Sequence, residues 1–203
     1  MGRVVLSADL GTIKTELIRK ALHFLIALSP GMAAANRPLT VLLLIIGTLS
    51  YACMESFRFA GIQVPLISRL TDMASRTRDK GRFALGPVTL GLGALLALLF
   101  YPAPAASIAI YALAFGDGFA SLIGKAFGVT RPAFLLGKSV EGSLACFSAV
   151  FFSAYHVSLN YRTALFAAIV ATLAEALPLE DYDNIALPVS VGFVVHMLAL
   201  VGM

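Results

Sequence analysis

The residues with the types and spacing to do chemistry are densest between Ala114 and Ser143, which read AFGDGFASLIGKAFGVTRPAFLLGKSVEGS. One acid, Asp117, follows an apolar run. Gly116, Gly118, Gly124, Gly128, Gly137 and Gly142 are interleaved with Lys125, Arg131 and Lys138, and Glu141 enters the next apolar run. Glycine lets backbone N–H groups approach a phosphate closely, and lysine supplies a point charge for it. A neighbouring carboxylate is what a hydrated Mg²⁺ requires. The stretch therefore suits work on a polyphosphate. Gly137-Lys138-Ser139 invites a P-loop reading, but that motif needs glycine five positions before Gly137, where Pro132 stands. A P-loop NTPase is excluded.

Three smaller polar clusters accompany it. Arg19-Lys20-x-x-His23 opens an apolar run; snorkelling of the two cations is its bland explanation. Glu55-x-x-Arg58 closes another run, and a pair three apart on a helix can be purely structural. Glu175 lies inside a third run, which Pro178 breaks, and Glu180, Asp181 and Asp183 follow. Those four carboxylates have the oxygen chemistry to hold one or two hard cations. An acidic surface turn would explain the last three but not Glu175, because an unpaired acid within a membrane helix is costly.

Composition sets what must position these residues. Of 203 residues, 59% are hydrophobic and 13% charged, and there is no Trp. Apolar runs recur along the whole length, which predicts one integral-membrane domain over residues 1–203. The net charge of +4 does not imply a nucleic-acid partner, since the basic residues gather at the ends of apolar runs. Cys53 and Cys146 are isolated in apolar runs and have no metal-ligand spacing. Residues 1–16 form a short amphipathic lead without the apolar core of a signal peptide.

The expected fold is all-α and polytopic, with about seven transmembrane helices and one interfacial helix. The runs are Leu17–Ala35, Leu39–Met54, Phe83–Tyr101, Ala105–Asp117 with an extension toward Ile123, Ser143–Leu159, Thr163–Leu177 and Ile185–Val201. Asn36-Arg37-Pro38 and Pro102–Pro104 are turns. Within the polar connection from Glu55 to Arg82, Leu66, Ile67, Leu70, Met73 and Ala74 recur at helical spacing after Pro65, the pattern of a helix on the headgroups. Several runs barely reach across a hydrocarbon core of about 30 Å at about 1.5 Å per residue. Seven spans leave only Arg37 and Arg162 among the basic residues on one side, with every acid on the other. The positive-inside rule makes the loaded side cytoplasmic, the N-terminus included. It does not require the acids there, so their one-sidedness points to a polar site at that face. A small cation-coupled transporter would spread its acids through the membrane depth instead.

Acids, cations and glycines on one face form the equipment for phosphoryl or nucleotidyl transfer. In order, Asp117-Gly-Phe-Ala120, Gly124-Lys125-x-Phe127-Gly128 and Gly137-Lys138-Ser139-x-Glu141-Gly142-Ser143 resemble the CTP-using lipid enzymes. These include phosphatidate cytidylyltransferase. The chain more closely resembles the CTP-dependent polyprenol kinases: dolichol kinase, phytol kinase and the CTP-dependent diacylglycerol kinase. Arg19-Lys20-x-x-His23, Glu55-x-x-Arg58 and Glu175-x-x-Pro178, with Asp183, Asn184 and Pro188, resemble that kinase branch. The chain is short beside eukaryotic dolichol kinase.

The resemblance implies that a lipid alcohol and CTP, with Mg²⁺ or another divalent cation, give a lipid monophosphate and CDP. The nearest alternative is a CDP-lipid-forming cytidylyltransferase. It implies Asp117, Lys138 and Glu141 as catalytic residues, and Asp117, Glu141, Glu175, Asp181 and Asp183 as metal contacts. Nucleotide contacts would be Gly124, Lys125, Gly128, Gly137, Ser139, Gly142 and Ser143, joined by Arg19, Lys20, Arg58 and Asn184. His23 and Glu55 are further site residues. A homodimer is compatible with all of this, and the lipid alcohol is not fixed.

Overall fold

A computed structural model describes residues 10–62 and 82–202, which are helical with no strand among them. The expected interfacial helix after Pro65 lies outside the described residues, as do Asp72 and Asp79. In chain order the helices are α1 (Leu10–Ile26), α2 (Ser29–Phe59), α3 (Gly86–Phe100), α4 (Ala103–Ala126), α5 (Val140–Ser158), α6 (Tyr161–Ala176) and α7 (Asp183–Leu200). Of these, α2, α4, α5 and the stretch Glu180–Leu200 are long and apolar enough to cross a membrane; α3 is apolar but shorter. The protein is an all-α membrane protein, and the expected count of seven spans exceeds these four.

The first expected span is divided. Helix α1 starts earlier, at Leu10, and ends at Ile26, with a turn before α2. The turn expected at Asn36-Arg37-Pro38 is a kink inside α2, where Asn36 takes φ −155° and ψ 93°. Asn36 Oδ1 accepts the Leu39 N–H at 3.0 Å, so Asn36 caps the helix that follows. Helix α2 then passes Met54 and stops at Gly61, whose φ of +87° suits glycine. There the Ile62 and Gly61 N–H groups bond to Phe57 and Arg58 carbonyls, closing the helix end.

Helix α4 is the axis of the molecule. Its apolar window is 61% buried, against 11% for α2. It packs against α1, α2, α3, α5, α6 and α7. Ala105, Ile108, Ala109, Ala112 and Leu113 of α4 meet Ala164, Ala167, Ala168 and Ala171 of α6 in one buried cluster. Small side chains let membrane helices approach, where packing rather than the hydrophobic effect drives association. A methyl on Gly116 would lie 2.7 Å from Val150, and one on Gly93 would strike the Asn184 carbonyl. Helices α2 and α3 run antiparallel: Arg37 reaches the Leu98 and Tyr101 carbonyls at one end, and Glu55 accepts the Ala84 N–H at the other. Between Ala112 and Asp117, α4 loosens into a π turn. Such turns displace the residues that follow them and recur at functional sites. Asp117 is the residue this one delivers.

Candidate functional site

The C-terminal ends of α4 and α6 and the N-terminal ends of α5 and α7 surround a cavity of about 500 Å³. That volume lies in the range of small-ligand pockets. Among the described residues four cations line it: Arg19 from α1, Lys125 from α4, and Arg131 and Lys138 from the α4–α5 connection. Glu175 from the end of α6, Glu180 from the following turn and Asp183 at the start of α7 supply the acids. Leu136, Leu177 and Pro178 add an apolar border.

Local chemistry explains how these groups arrive. Ser139 is the N-cap of α5, its Oγ accepting the Gly142 N–H at 3.1 Å. Glu141 then falls in the first turn of α5, where the helix dipole favours an acid. Arg131 donates to the Gly137 and Gly124 carbonyls at 2.7 and 2.9 Å, folding the connection back over the end of α4. Gly137 has φ +93° with open space around it, so only its backbone conformation calls for glycine. Gly124, Gly128 and Gly142 have a different reason. A methyl on Gly142 would sit 2.8 Å from the Ala120 carbonyl, and one on Gly128 would overlap Gly124 and Ser139. These glycines allow α4 and α5 to touch. Close helix contact therefore explains them without a phosphate, and Gly128 is not on the cavity wall.

Lys138 Nζ donates to Glu175 Oε1 at 2.6 Å. The second oxygen, Oε2, is buried with no hydrogen-bond partner among the described residues; Ser143 Oγ and Arg19 Nε share that condition. All three belong to residues of the cavity wall. An unpartnered buried polar atom is costly, and three on one wall mark a surface shaped for a polar ligand. The carboxylate oxygens of Glu175 and Asp183 on this wall have the chemistry to hold a hard cation. Among the described residues no three His, Cys, Asp or Glu side chains converge on one point. Glu175, Glu180, Asp181 and Asp183 therefore do not form the chelate that their sequence spacing suggested. The set fits Mg²⁺ of the kind that phosphate oxygens and water complete, which needs one or two carboxylates.

Behind this wall lies a second polar layer between α1 and α4. The π turn presents Asp117, 4% exposed, to the fully buried Lys20, with which it pairs. His23 Nδ1 lies 3.1 Å from the same Asp117 oxygen. Ser121, on the wall, donates to the other oxygen at 3.4 Å. Asp117 thus stands one hydrogen bond away from the cavity and not in it. Glu16, one turn before Lys20, pairs with Arg19 at 2.6 Å and with Lys125. The sequence reading passed over Glu16; its signal was the spacing Glu16-x-x-Arg19, the same as Glu55-x-x-Arg58.

Several expected site residues stand elsewhere. Glu141 turns from the cavity and accepts the Thr130 N–H at 3.0 and 3.3 Å, clamping the connection. Glu55 takes both Arg58 nitrogens at 2.7 and 2.6 Å, and Arg58 also donates to the Arg82 carbonyl at 3.0 Å. Neither lines the cavity. Asn184 is buried and donates to Thr89 Oγ1 at 3.0 Å, joining α7 to α3. Asp181 faces Gly86, the first residue of α3. Cys53 and Cys146 are free thiols, as their isolation suggested.

No protein-family model and no solved structure matches the chain. It is similar to a protein named phytol kinase 1, chloroplastic, from Arabidopsis thaliana, with 28% identity over 148 residues, 64% of this chain and 49% of that one. A probable phytol kinase 1, chloroplastic, from Oryza sativa subsp. japonica is 24% identical over 68% of this chain and 50% of its own. A probable chloroplastic phytol kinase from Triticum aestivum is 29% identical over 61% and 48%. The chain spans about half the length of these curated relatives. The chain is thus similar over part of its length to proteins named phytol kinases, and it carries a charged cavity at one end of an apolar helix bundle.

Proposed function

We propose that the protein transfers the γ-phosphate of CTP to the hydroxyl of a long-chain lipid alcohol of the phytol or polyprenol class. The observation that carries this is the cavity itself: among the described residues, four cations and three acids from four helices and two connections meet at one end of an apolar bundle. Relatives named phytol kinases support the acceptor class. CTP as donor rests on the resemblance of the Asp117–Ser143 motifs. Positive-inside bias supports a cytoplasmic cavity.

In the proposed reaction the lipid oxygen attacks the γ-phosphorus as the bond to the β-bridging oxygen breaks. CDP leaves, and the hydroxyl proton passes to a wall carboxylate, a role we assign to Asp183. Arg19, Lys125 and Lys138 offset the charge spread over the phosphate oxygens, the dominant task in phosphoryl transfer. Glu175, with its unpartnered oxygen, would hold Mg²⁺. When bound, the ion supplies neutralisation of the phosphate oxygens. Asp117 acts from behind, fixing α1 through Lys20 so that Arg19 faces the cavity.

CTP labelled at the γ-phosphate, incubated with Mg²⁺ and a panel of phytol, polyprenol, dolichol, farnesol and diacylglycerol, tests this. Label on an isoprenoid alcohol and free CDP are expected. Label released as pyrophosphate, with the nucleotide on the lipid, would replace the kinase by a cytidylyltransferase.

A further inference from the structure

We propose that Glu16 is a positioning residue that sets the spacing of two cavity cations, so that the wall prefers a polyphosphate over a single phosphate. The inference rests on reading the cavity as a phosphate site. Glu16 is 1% exposed and is not on the wall. Its Oε1 takes Arg19 at 2.6 Å, and its Oε2 takes Lys125. Both of those cations are on the wall, and they come from different helices, α1 and α4. One carboxylate therefore fixes the positions of two positive heads that would otherwise repel. It does so from the side opposite the ligand, in the manner of a buried partner that orients a metal ligand.

The geometry has a chemical consequence. Two cations held apart at a fixed spacing engage neighbouring phosphoryl groups of one chain together. Orthophosphate needs only one of them. Lys125 is the more exposed of the pair, with its side chain 32% exposed against 18% for Arg19. Without the Glu16 charge, the bridge that holds Lys125 beside Arg19 is lost, and the polyphosphate loses its paired contact while orthophosphate keeps a single one.

The test uses the full chain in detergent, with inorganic tripolyphosphate and orthophosphate as probes and thermal protection as readout, beside kcat and KM for CTP. For Glu16→Gln, tripolyphosphate protection is expected to shift to about tenfold higher concentration, as for loss of one charge-assisted contact, with orthophosphate nearly unchanged. KM for CTP rises in parallel. Glu16→Asp keeps the charge but is one methylene shorter; it is expected to weaken tripolyphosphate selectively too, at an unchanged melting temperature. Equal changes for both phosphates, tighter binding of both, or no change in either variant would overturn the role given to Glu16. If the unaltered protein gains no protection from tripolyphosphate, the phosphate-site reading fails instead, and the two failures are distinct.

Discussion

The end of α2 and the middle of α1 each carry a glutamate followed three residues later by an arginine, and both glutamates are buried. Their surroundings differ. Glu55 receives Arg58 and the Ala84 N–H, and Arg58 reaches the Arg82 carbonyl, so that pair ties the chain entering α3 to α2. Glu16 receives Arg19 and Lys125, and both cations border a cavity. An identical local pattern thus serves as a backbone clip in one place and as a charge template in the other. Among the contacts of the described residues, Glu55 adds a peptide N–H where Glu16 adds a second cation, and on the proposed reading that difference separates a staple from an anion site. Spacing within one helix cannot supply that added partner.

The comparison can be broken most decisively at Asp117. Asp117→Asn removes the counter-charge of the fully buried Lys20. It should abolish transfer and cost about 3–5 kcal/mol of stability, as for other buried pairs losing one member. Adding Lys20→Met should recover the melting temperature without recovering activity; recovery of both would reduce this layer to a structural pair. Next in size is Lys138→Met. Lys138 is a third exposed, and its loss should lower kcat/KM by about 10²-fold, like loss of one transition-state donor, with melting little changed. A drop in melting with intact turnover would move Lys138 to the clip class. The smallest functional effect is expected from Glu55→Gln, which should lower stability by about 1–3 kcal/mol through the weakened hydrogen bonds. Its specific activity should fall far less than in the first two variants. Loss of turnover there at full stability would bring Glu55 back into the site.

Pro178 and the Asn36-Arg37-Pro38 segment show how far turn residues go. Proline and a capping asparagine mark where regular helix is interrupted, because one lacks an N–H and the other supplies an acceptor. The interruptions are present, yet Asn36 proved a kink within α2 and not a reversal, since chain direction depends on what each half packs against. Glu141 is a similar case. Its place beside Gly137-Lys138-Ser139 made it a candidate metal contact, but Ser139 starts α5 and turns the Glu141 carboxylate toward Thr130. The glycines were read as a phosphate cradle; Gly124 and Gly142 do border the cavity, and together with Gly128 they also let α4 and α5 touch. Seven apolar runs were visible, and the four that meet the length for crossing are a subset of them.

The sequence by itself determined the apolar, all-helical class, the positions of most helix ends, Glu175 as an acid too costly to bury idly, and Arg19, Lys125, Lys138 and Asp183 as candidates for the same polar face. Those follow from composition, periodicity and the cost of charge in a low-dielectric medium, all readable along one dimension. Only the tertiary structure decided which charges share a space. Glu16 meets Lys125 across 109 positions and Lys20 meets Asp117 across 97. Such pairings depend on a π turn rotating one face of α4 toward α1 and on glycines admitting α5 on the other. A few ångströms of helix approach, which no residue spacing encodes, separate a wall of the cavity from a staple in the fold.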